Sequence, residues 1–284
     1  MAKIAWATCG KLAGLSPQES GVVQLLIKWG HEVEPAIWDS KSVNWKSFDV
    51  IVIRTIWDYH VKVEQFLEWL DLLESLQVDV FNSTKILKWN HHKFYLEEIA
   101  QRGIPIIETE FVKKGASIDF NKIVENLKSP EIIIKPAVSA TAHNLLKVDV
   151  KKIDHKKAEI NKLIKSSDLL IQPFIKEIES GEWSYIFFNK KFSHAVIKKP
   201  TGSDFRVQND FGGTSEILEP PKGTISQAQK VLDVIPDELL YARVDGLVID
   251  GRFYLMELEL IEPELFLLDQ TLQEKFARAI IEKI

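Results

Sequence analysis

The spacing of apolar positions changes several times along the chain, and each change marks an element. Short apolar runs at Lys3–Thr8, Glu32–Ile37 and 50–53 read as strands, while apolar positions in 17–29 and 63–76 recur at helical spacing. A last short run at 80–81 completes a strand–helix alternation of the kind that builds a parallel sheet flanked by helices. No Gly-x-Gly-x-x-Gly follows the first strand, so the dinucleotide fingerprint is absent. Asn82-Ser83-Thr84 combines a turn with a helix N-cap signal, and the first lobe is expected to span residues 1–88.

A second lobe is expected over 89–173. It begins with a helix over about 91–101, ended by Gly103, and continues with strands at 105–112, 131–134 and 169–172. Helices at 118–127 and 151–167 separate those strands. From residue 174 onward the pattern shifts to closely spaced strands at Glu182–Phe188, 191–198 and 214–218, with Asn189-Lys190 as a tight turn. A helix at 226–234, a hairpin and a terminal helix over about 271–282 complete this third lobe, 174–284.

That hairpin holds the most informative chemistry. Apolar residues from Leu239 to Val248 precede an Asp250-Gly251 turn, and Phe253 to Leu260 follow it, yet Asp245, Glu257 and Glu259 sit among them. Carboxylates crowded into a core repel one another and lose hydration, which a shared cation relieves. All-oxygen, all-acid sites suit Mg²⁺ or Mn²⁺ rather than zinc. A plain two-residue turn in a regular ladder would pair Asp245 with Met256 and send Glu257 and Glu259 to the opposite face. A three-residue loop or a bulge puts all three acids on one face, and that shifted register is predicted, with the turn expected not to be a plain two-residue one. The alternative is a solvent-facing row of acids on an edge hairpin.

Composition narrows the classes. A length of 284 residues suggests two or three lobes, and 45% hydrophobic with 27% charged residues is ordinary for a globular protein. A net charge of -5 gives no reason to expect a nucleic-acid surface. No apolar run approaches the ~20 residues of a membrane span, and the first residues read as a strand rather than a signal peptide. Cys9 is the only cysteine, which excludes an internal disulfide and favours a small packed side chain over a nucleophile. A cytoplasmic protein is expected.

Other segments carry candidate chemistry. Lys135 ends the run 132–134 and precedes Pro136 and the small-residue loop Ala137-Val138-Ser139-Ala140-Thr141-Ala142. This reads either as a phosphate grip or as a snorkelling lysine beside a loop. Lys93 lies near a helix start, where anions are favoured, while adjacent His91 and His92 point to different faces and read as surface or capping residues. Gln172 to Glu182 is a connector whose backbone suits a purine edge, with acids nearby for ribose, or simply a hinge. Lys198, Arg206 and Gly212-Gly213 form a basic, glycine-containing segment, and an arginine fork suits carboxylate or phosphoryl groups. Arg54 to His60 follows the third strand, at the carboxyl end where open α/β sheets bind ligands.

Taken in order, Lys93, Lys135-Pro136, Gln172 to Glu182, Lys198, Arg206, Gly212-Gly213, Asp245 and Glu257-Leu-Glu259 resemble the ATP-grasp superfamily, particularly prokaryotic glutathione synthetases and ribosomal-protein glutamate ligases. A narrower resemblance rests on Arg54-Thr-Ile-Trp-Asp-Tyr-His60, Trp89-Asn90, Lys135-Pro-Ala-Val-Ser139-Ala, Gly181-Glu-Trp-Ser184, Phe192-Ser-His-Ala195, Asp204-Phe-Arg-Val-Gln208 and Met256-Glu-Leu-Glu-Leu-Ile-Glu-Pro263. These are similar to the branch containing the O-ureido-serine cyclo-ligase of D-cycloserine biosynthesis. The chain departs from the wider pattern where Ser184 replaces a common arginine and Glu259 a common asparagine.

The resemblance implies a three-lobed α/β (α+β) ATP-grasp fold: a Rossmann-like N-terminal parallel sheet followed by two α+β lobes enclosing ATP. It implies that Lys93, Lys135 and Lys198 hold phosphates, that Gln172, Phe174 and Ile175 line the adenine site, and that Glu177 or Glu182 contacts ribose. Asp245, Glu257 and Glu259 would bind Mg²⁺, and Arg206 would stabilise the transferring phosphoryl group. Arg54, Asp58, Tyr59, His60, Gly212 and Gly213 would help hold substrate. The expected activity is ATP-dependent ligation of a carboxylate to an amine through an acyl-phosphate, on a small amino-acid-like substrate, intramolecular cyclisation included. The alternatives are a peptide or glutamate ligase of the same superfamily and a nucleotide-binding module without turnover. No nucleic-acid or membrane partner is expected, and a homo-oligomer is compatible.

Overall fold

A computed structural model of the chain describes residues 1–139, 144–202, 204–207 and 211–284. The expected loop residues Ala140, Thr141 and Ala142, and Gln208, lie outside the described residues. Among the described residues the strands form three sheets.

The first is parallel, in the order β2 (Glu32–Ile37), β1 (Lys3–Thr8), β3 (Val50–Thr55), β4 (Asp79–Phe81). Strands β1 and β3 are buried almost throughout because helices cover the sheet. Helix α1 (Pro17–Lys28) starts at the Ser16 cap with Pro17 in its first turn, and α2 (Val63–Leu76) buries Phe66, Trp69, Leu70 and Leu73.

Helices α3 (Thr84–Asn90) and α4 (Tyr95–Gln101) replace the single helix expected over 91–101. The break leaves Lys93 between them, where its backbone N–H donates to the carbonyl of Ala137 at 2.8 Å. Ile86, Tyr95, Leu96, Ile99 and Ile104 pack into the core beneath the third sheet rather than into the middle lobe.

The middle lobe has its own small core. Its sheet runs β5 (Glu110–Val112), β8 (Leu169–Pro173), β6 (Glu131–Pro136), β7 (Leu146–Asp149), covered by α5 (Phe120–Leu127) and α6 (Ile153–Ser166). The strand expected over 105–112 is shorter, and β7 is one that the apolar pattern did not signal.

The third sheet is antiparallel, in the order β11 (Thr214–Ile217), β10 (Lys191–Lys199), β9 (Glu182–Phe188), β12 (Tyr241–Ile249), β13 (Arg252–Glu259). One face packs Trp183, Tyr185, Phe187, Ile197, Val244 and Leu255 against α4 and α7 (Thr224–Asp233). The other face divides along its length. Ile186, Phe188, Val196 and Tyr241 meet the N-terminal sheet and α8 (Gln270–Ile281) in a shared core. Beyond them the same face turns charged.

Candidate active site

Strand alternation explains the charged end of the sheet. Glu182 and Ser184 on β9, Lys198 on β10, Arg243 and Asp245 on β12, and Glu257 and Glu259 on β13 all fall on one face, with Asp245 paired to Glu257 and Arg243 to Glu259. The expected register is present, but its origin differs from the expectation about the turn. Asp250 and Gly251 form a plain two-residue turn with positive φ at both, +50° and +75°, and Ile249 pairs with Arg252. The shift comes instead from a bulge: Asp245 faces Glu257 and Gly246 faces Leu255, which leaves Met256 as the extra residue.

β13 would be an exposed edge were it not covered. Asn90 donates to the carbonyl of Leu258 and accepts from the N–H of Leu260, and the hydroxyl of Tyr95 bonds both N–H and C=O of Leu258. Leu255 pairs in the same way with the backbone of residues 105–107.

Each acid on this face meets a cation. Asp245 accepts from Arg243, from Lys198 at 3.0 Å and from Ser184 at 2.7 Å. Burial alone would raise its carboxyl, but Arg243 and Lys198 outweigh that and hold it down to about 2. Lys198 also lies 2.6 Å from Glu182, Arg243 also binds Glu259, and Lys93 lies 3.1 Å from Glu257. Arg243 is the functional residue that sequence reasoning passed over, although its place two residues before Asp245 on one strand put it on the same face.

Asp245, Glu257 and Glu259, the expected metal ligands, share this face. No group of three or more His, Cys, Asp or Glu side chains among the described residues is arranged to hold a metal ion. Asp245 is committed to Arg243, Lys198 and Ser184, while Glu257 pairs with Lys93 and Glu259 with Arg243, and all three acids line one cavity.

That cavity measures about 530 Å³, within the ~300–1,000 Å³ of ligand sites. Lys93, Lys135, Lys198, Arg243 and the acids line it together with Trp57, Tyr59, Glu262 and Phe266. Lys135 is buried and makes no hydrogen bond or ion pair among the described residues. Burial lowers its pKa, with Lys93 adding to the effect and Glu257 opposing it. It also lines a neighbouring apolar slot of about 90 Å³, walled by Phe174, Ile175, Leu247 and Met256 with Gln172 and Arg206 at its rim. Lys147 lies 3.4 Å over the Phe174 ring, and Phe174 meets Phe205 edge-on at 5.5 Å. Arg206 is paired with Asp204 at 2.6 Å and lies over Phe211.

Several expected site residues lie elsewhere. Arg54 lines neither space: it is 1% exposed, bonded to Glu19 and to the carbonyl of Pro263, and lies over the rings of Tyr241 and Phe276. Asp58 is drawn away to Lys62 and the indole of Trp38. Glu177 is exposed on a short 3₁₀ turn, whereas Glu182 lines both spaces. His60, Gly212 and Gly213 line neither space, and only Tyr59 of the 54–60 segment's four expected substrate residues does.

A parallel N-terminal sheet, a small antiparallel middle lobe and a third sheet with one charged end together make the ATP-grasp fold. Over 99% of both chains the structure superimposes on a crystal structure of D-cycloserine synthetase DcsG with a TM-score of 0.88 at 20% identity. It also resembles D-alanine–D-alanine ligase from Bacillus anthracis in complex with ATP (TM-score 0.72, 18% identity, 99% and 97% of the chains). The ATP-grasp ligase PsnB complexed with a precursor variant, Mg and ADP gives a TM-score of 0.65 at 14% identity over 100% and 99%. In sequence, residues 4–82 match the family described as the N-terminal domain of D-cycloserine synthetase DcsG. The cycloserine biosynthesis protein DcsG of Streptomyces lavendulae is 25% identical over 277 residues, 90% of each chain. The chain thus resembles ATP-grasp ligases over nearly its full length. No helix among the described residues is long and apolar enough to cross a membrane.

Proposed function

We propose that the chain is an ATP-dependent carboxylate–amine ligase that activates a small amino-acid-like carboxylate as its acyl-phosphate, in three lobes spanning 1–88, 89–173 and 174–284. The observation that carries this reading is Lys135, a buried cation without a partner among the described residues, at the junction of an apolar slot and an acid-lined cavity. Such a junction suits a nucleotide with its base in the slot and its phosphates over the lysine. At about 90 Å³ the slot is narrower than typical ligand sites, so a base entering it must part the Phe174 and Phe205 rings.

Glu257 and Glu259 fit Mg²⁺, or Mn²⁺, because such ions take one or two protein carboxylates and complete their shell with phosphate oxygens and water. The ion would supply charge neutralisation on the transferring phosphoryl group. Binding of phosphates would then draw Lys93 and Lys198 from their acids, so the lysines that now satisfy Glu257 and Glu182 would serve the anion. Glu182, which lines both spaces, is the acid we assign to a ribose hydroxyl, and Arg206, which lines the slot, has the fork for phosphoryl oxygens. Phosphoryl transfer is largely positioning and charge neutralisation, and this face supplies both without a nucleophilic side chain. A cytoplasmic setting and a small-molecule partner accompany this reading.

Phosphate release from Mg-ATP across panels of amino acids and amines tests it; release stimulated by substrate is expected, and none by any member would favour a binding module without turnover. Lys135→Ala is expected to weaken ATP binding by about tenfold or more in calorimetry, the scale of one lost charge-assisted contact. Unchanged affinity would remove Lys135 from the phosphate site.

A further inference from the structure

Part of the cavity wall, directly beside the ion-paired acids, is left unused by the nucleotide reading. Trp57, Tyr59, Glu262, Glu264 and Phe266 belong to it, and Arg243 touches it by donating to the Glu264 carbonyl and lying over the Phe266 ring. The carboxylate of Glu262 meets its own backbone N–H, and neither it nor Glu264 makes an ion pair or a hydrogen bond to another side chain among the described residues. This contrasts with Asp245, Glu257 and Glu259, each of which meets Arg243 or Lys93.

Tyr59 gives an independent sign of a ligand. It is only 6% exposed, its ring is packed 4.8 Å from Phe66, and it lines the cavity. Its hydroxyl bonds no protein group among the described residues, although a buried tyrosine hydroxyl ordinarily finds a partner. Of the charges around that hydroxyl, Glu262 acts on it most strongly, ahead of Glu257 and Glu259. The backbone on both sides is fixed: the indole N–H of Trp57 donates to the carbonyl of Glu262 at 3.0 Å, and Arg54 donates to that of Pro263 at 2.9 Å.

Unpaired carboxylate, an unpartnered hydroxyl oxygen and aromatic faces together complement a cation with N–H donors. We propose that Glu262 and Tyr59 seat the ammonium group of the substrate, making it an amine-bearing carboxylic acid of amino-acid size whose carboxylate points towards Lys135. Only the direction of the carboxylate rests on the ligase reading; the ammonium seat stands on the geometry of this part of the wall.

The test uses the full chain with a non-hydrolysable ATP analogue and Mg²⁺. Calorimetry measures binding of D-serine, L-serine, D-alanine, β-alanine and ethanolamine against propionate and 3-hydroxypropionate. The amine-bearing members are expected to bind, and the des-amino acids about tenfold or more weakly, since a charged partner left unpaired costs at least that. Glu262→Gln should weaken amine binding about tenfold and Tyr59→Phe severalfold, with the affinity for the ATP analogue unchanged. Both variants keep the side-chain shape and remove no hydrogen bond that the fold uses, so folding is retained. Amine binding that is absent in every case, equal for the des-amino acids or unaltered in Glu262→Gln would overturn the seat, as would Glu262-dependent binding of Mg²⁺ alone. Amine binding without any Mg-ATP-dependent phosphate release would leave the seat standing and reject the ligase reading instead.

Discussion

Arg243 shows how one residue holds the charged face together. Its guanidinium spans Asp245 and Glu259 and also donates to the carbonyl of Glu264, at 8% exposure. Burial would lower its pKa, but the two carboxylates raise it instead, so it stays charged. Removing one partner of a buried pair leaves the other charges uncompensated, which costs about 3–5 kcal/mol. Arg243→Met is therefore expected to lower stability by that amount in urea unfolding, and a loss below about 1 kcal/mol would mean that water takes over the pairing. Arg54 carries a similar lesson. Read from the sequence it is a cation at a strand's carboxyl end; in the fold that cation belongs to Glu19, thirty-five residues before it. Nothing local in the sequence distinguishes a ligand arginine from one spent on a distant acid.

At the scale of elements, the hairpin β12–β13 depends on a glycine beside the bulge. A Cβ on Gly246 would lie 2.2 Å from the carbonyl oxygen of Tyr254 and 2.6 Å from the Phe253 ring. The oxygen belongs to the backbone of the paired strand and cannot rotate away, so Gly246→Ala must push the strands apart next to Asp245. Overpacking of this kind costs about 1–3 kcal/mol, occasionally more. The expected outcome is a stability loss in that range together with weakened ATP binding, because the displaced pair is Asp245 and Glu257. Wild-type affinity in a destabilised protein would separate the hairpin from the nucleotide site. The apolar pattern and the three acids showed in advance that this hairpin exists and needs a shifted register. They did not show whether the turn or the ladder supplies the shift, since both change the pairing parity by one. The helix expected over 91–101 begins only at Tyr95, because the four polar residues Asn90 to Lys93 carry no periodicity to place its start and the Lys93 N–H meets the carbonyl of Ala137.

For the whole molecule, the joint between the N-terminal sheet and the third sheet is the decisive contact. Tyr241 reaches the carbonyls of Ile53 and Ile261, and Asn82 bonds the backbone of Leu240, Tyr241 and Leu260. His194 belongs to the same joint. Its ring is buried with Nε2 donating to the carbonyl of Leu265 at 3.0 Å, and burial lowers its pKa from 6.5 to about 4. The unfolded chain therefore binds a proton that the folded state refuses between those values. Stability from this group is complete above about pH 6.5 and falls as the pH drops towards 4, by up to about 3 kcal/mol. Urea midpoints at pH 7 and pH 5 should differ more for the native chain than for His194→Asn, and equal differences would assign the pH dependence elsewhere.

The sequence by itself determined where most strands and helices lie, that three acids share one face, and that Lys135 ends a buried strand, because periodicity and burial of a segment are properties of its own residues. The resemblance of ordered motifs pointed to the ATP-grasp fold on the same local terms. Only the tertiary structure decided the partners: that Asp245 is spent on Arg243 and Lys198, that Arg54 is locked to Glu19, and that Tyr59 and Glu262, about two hundred residues apart in the chain, line one cavity. Electrostatic and hydrogen-bond complementarity acts between atoms a few ångströms apart in space, and distance along the chain does not encode which charges will meet.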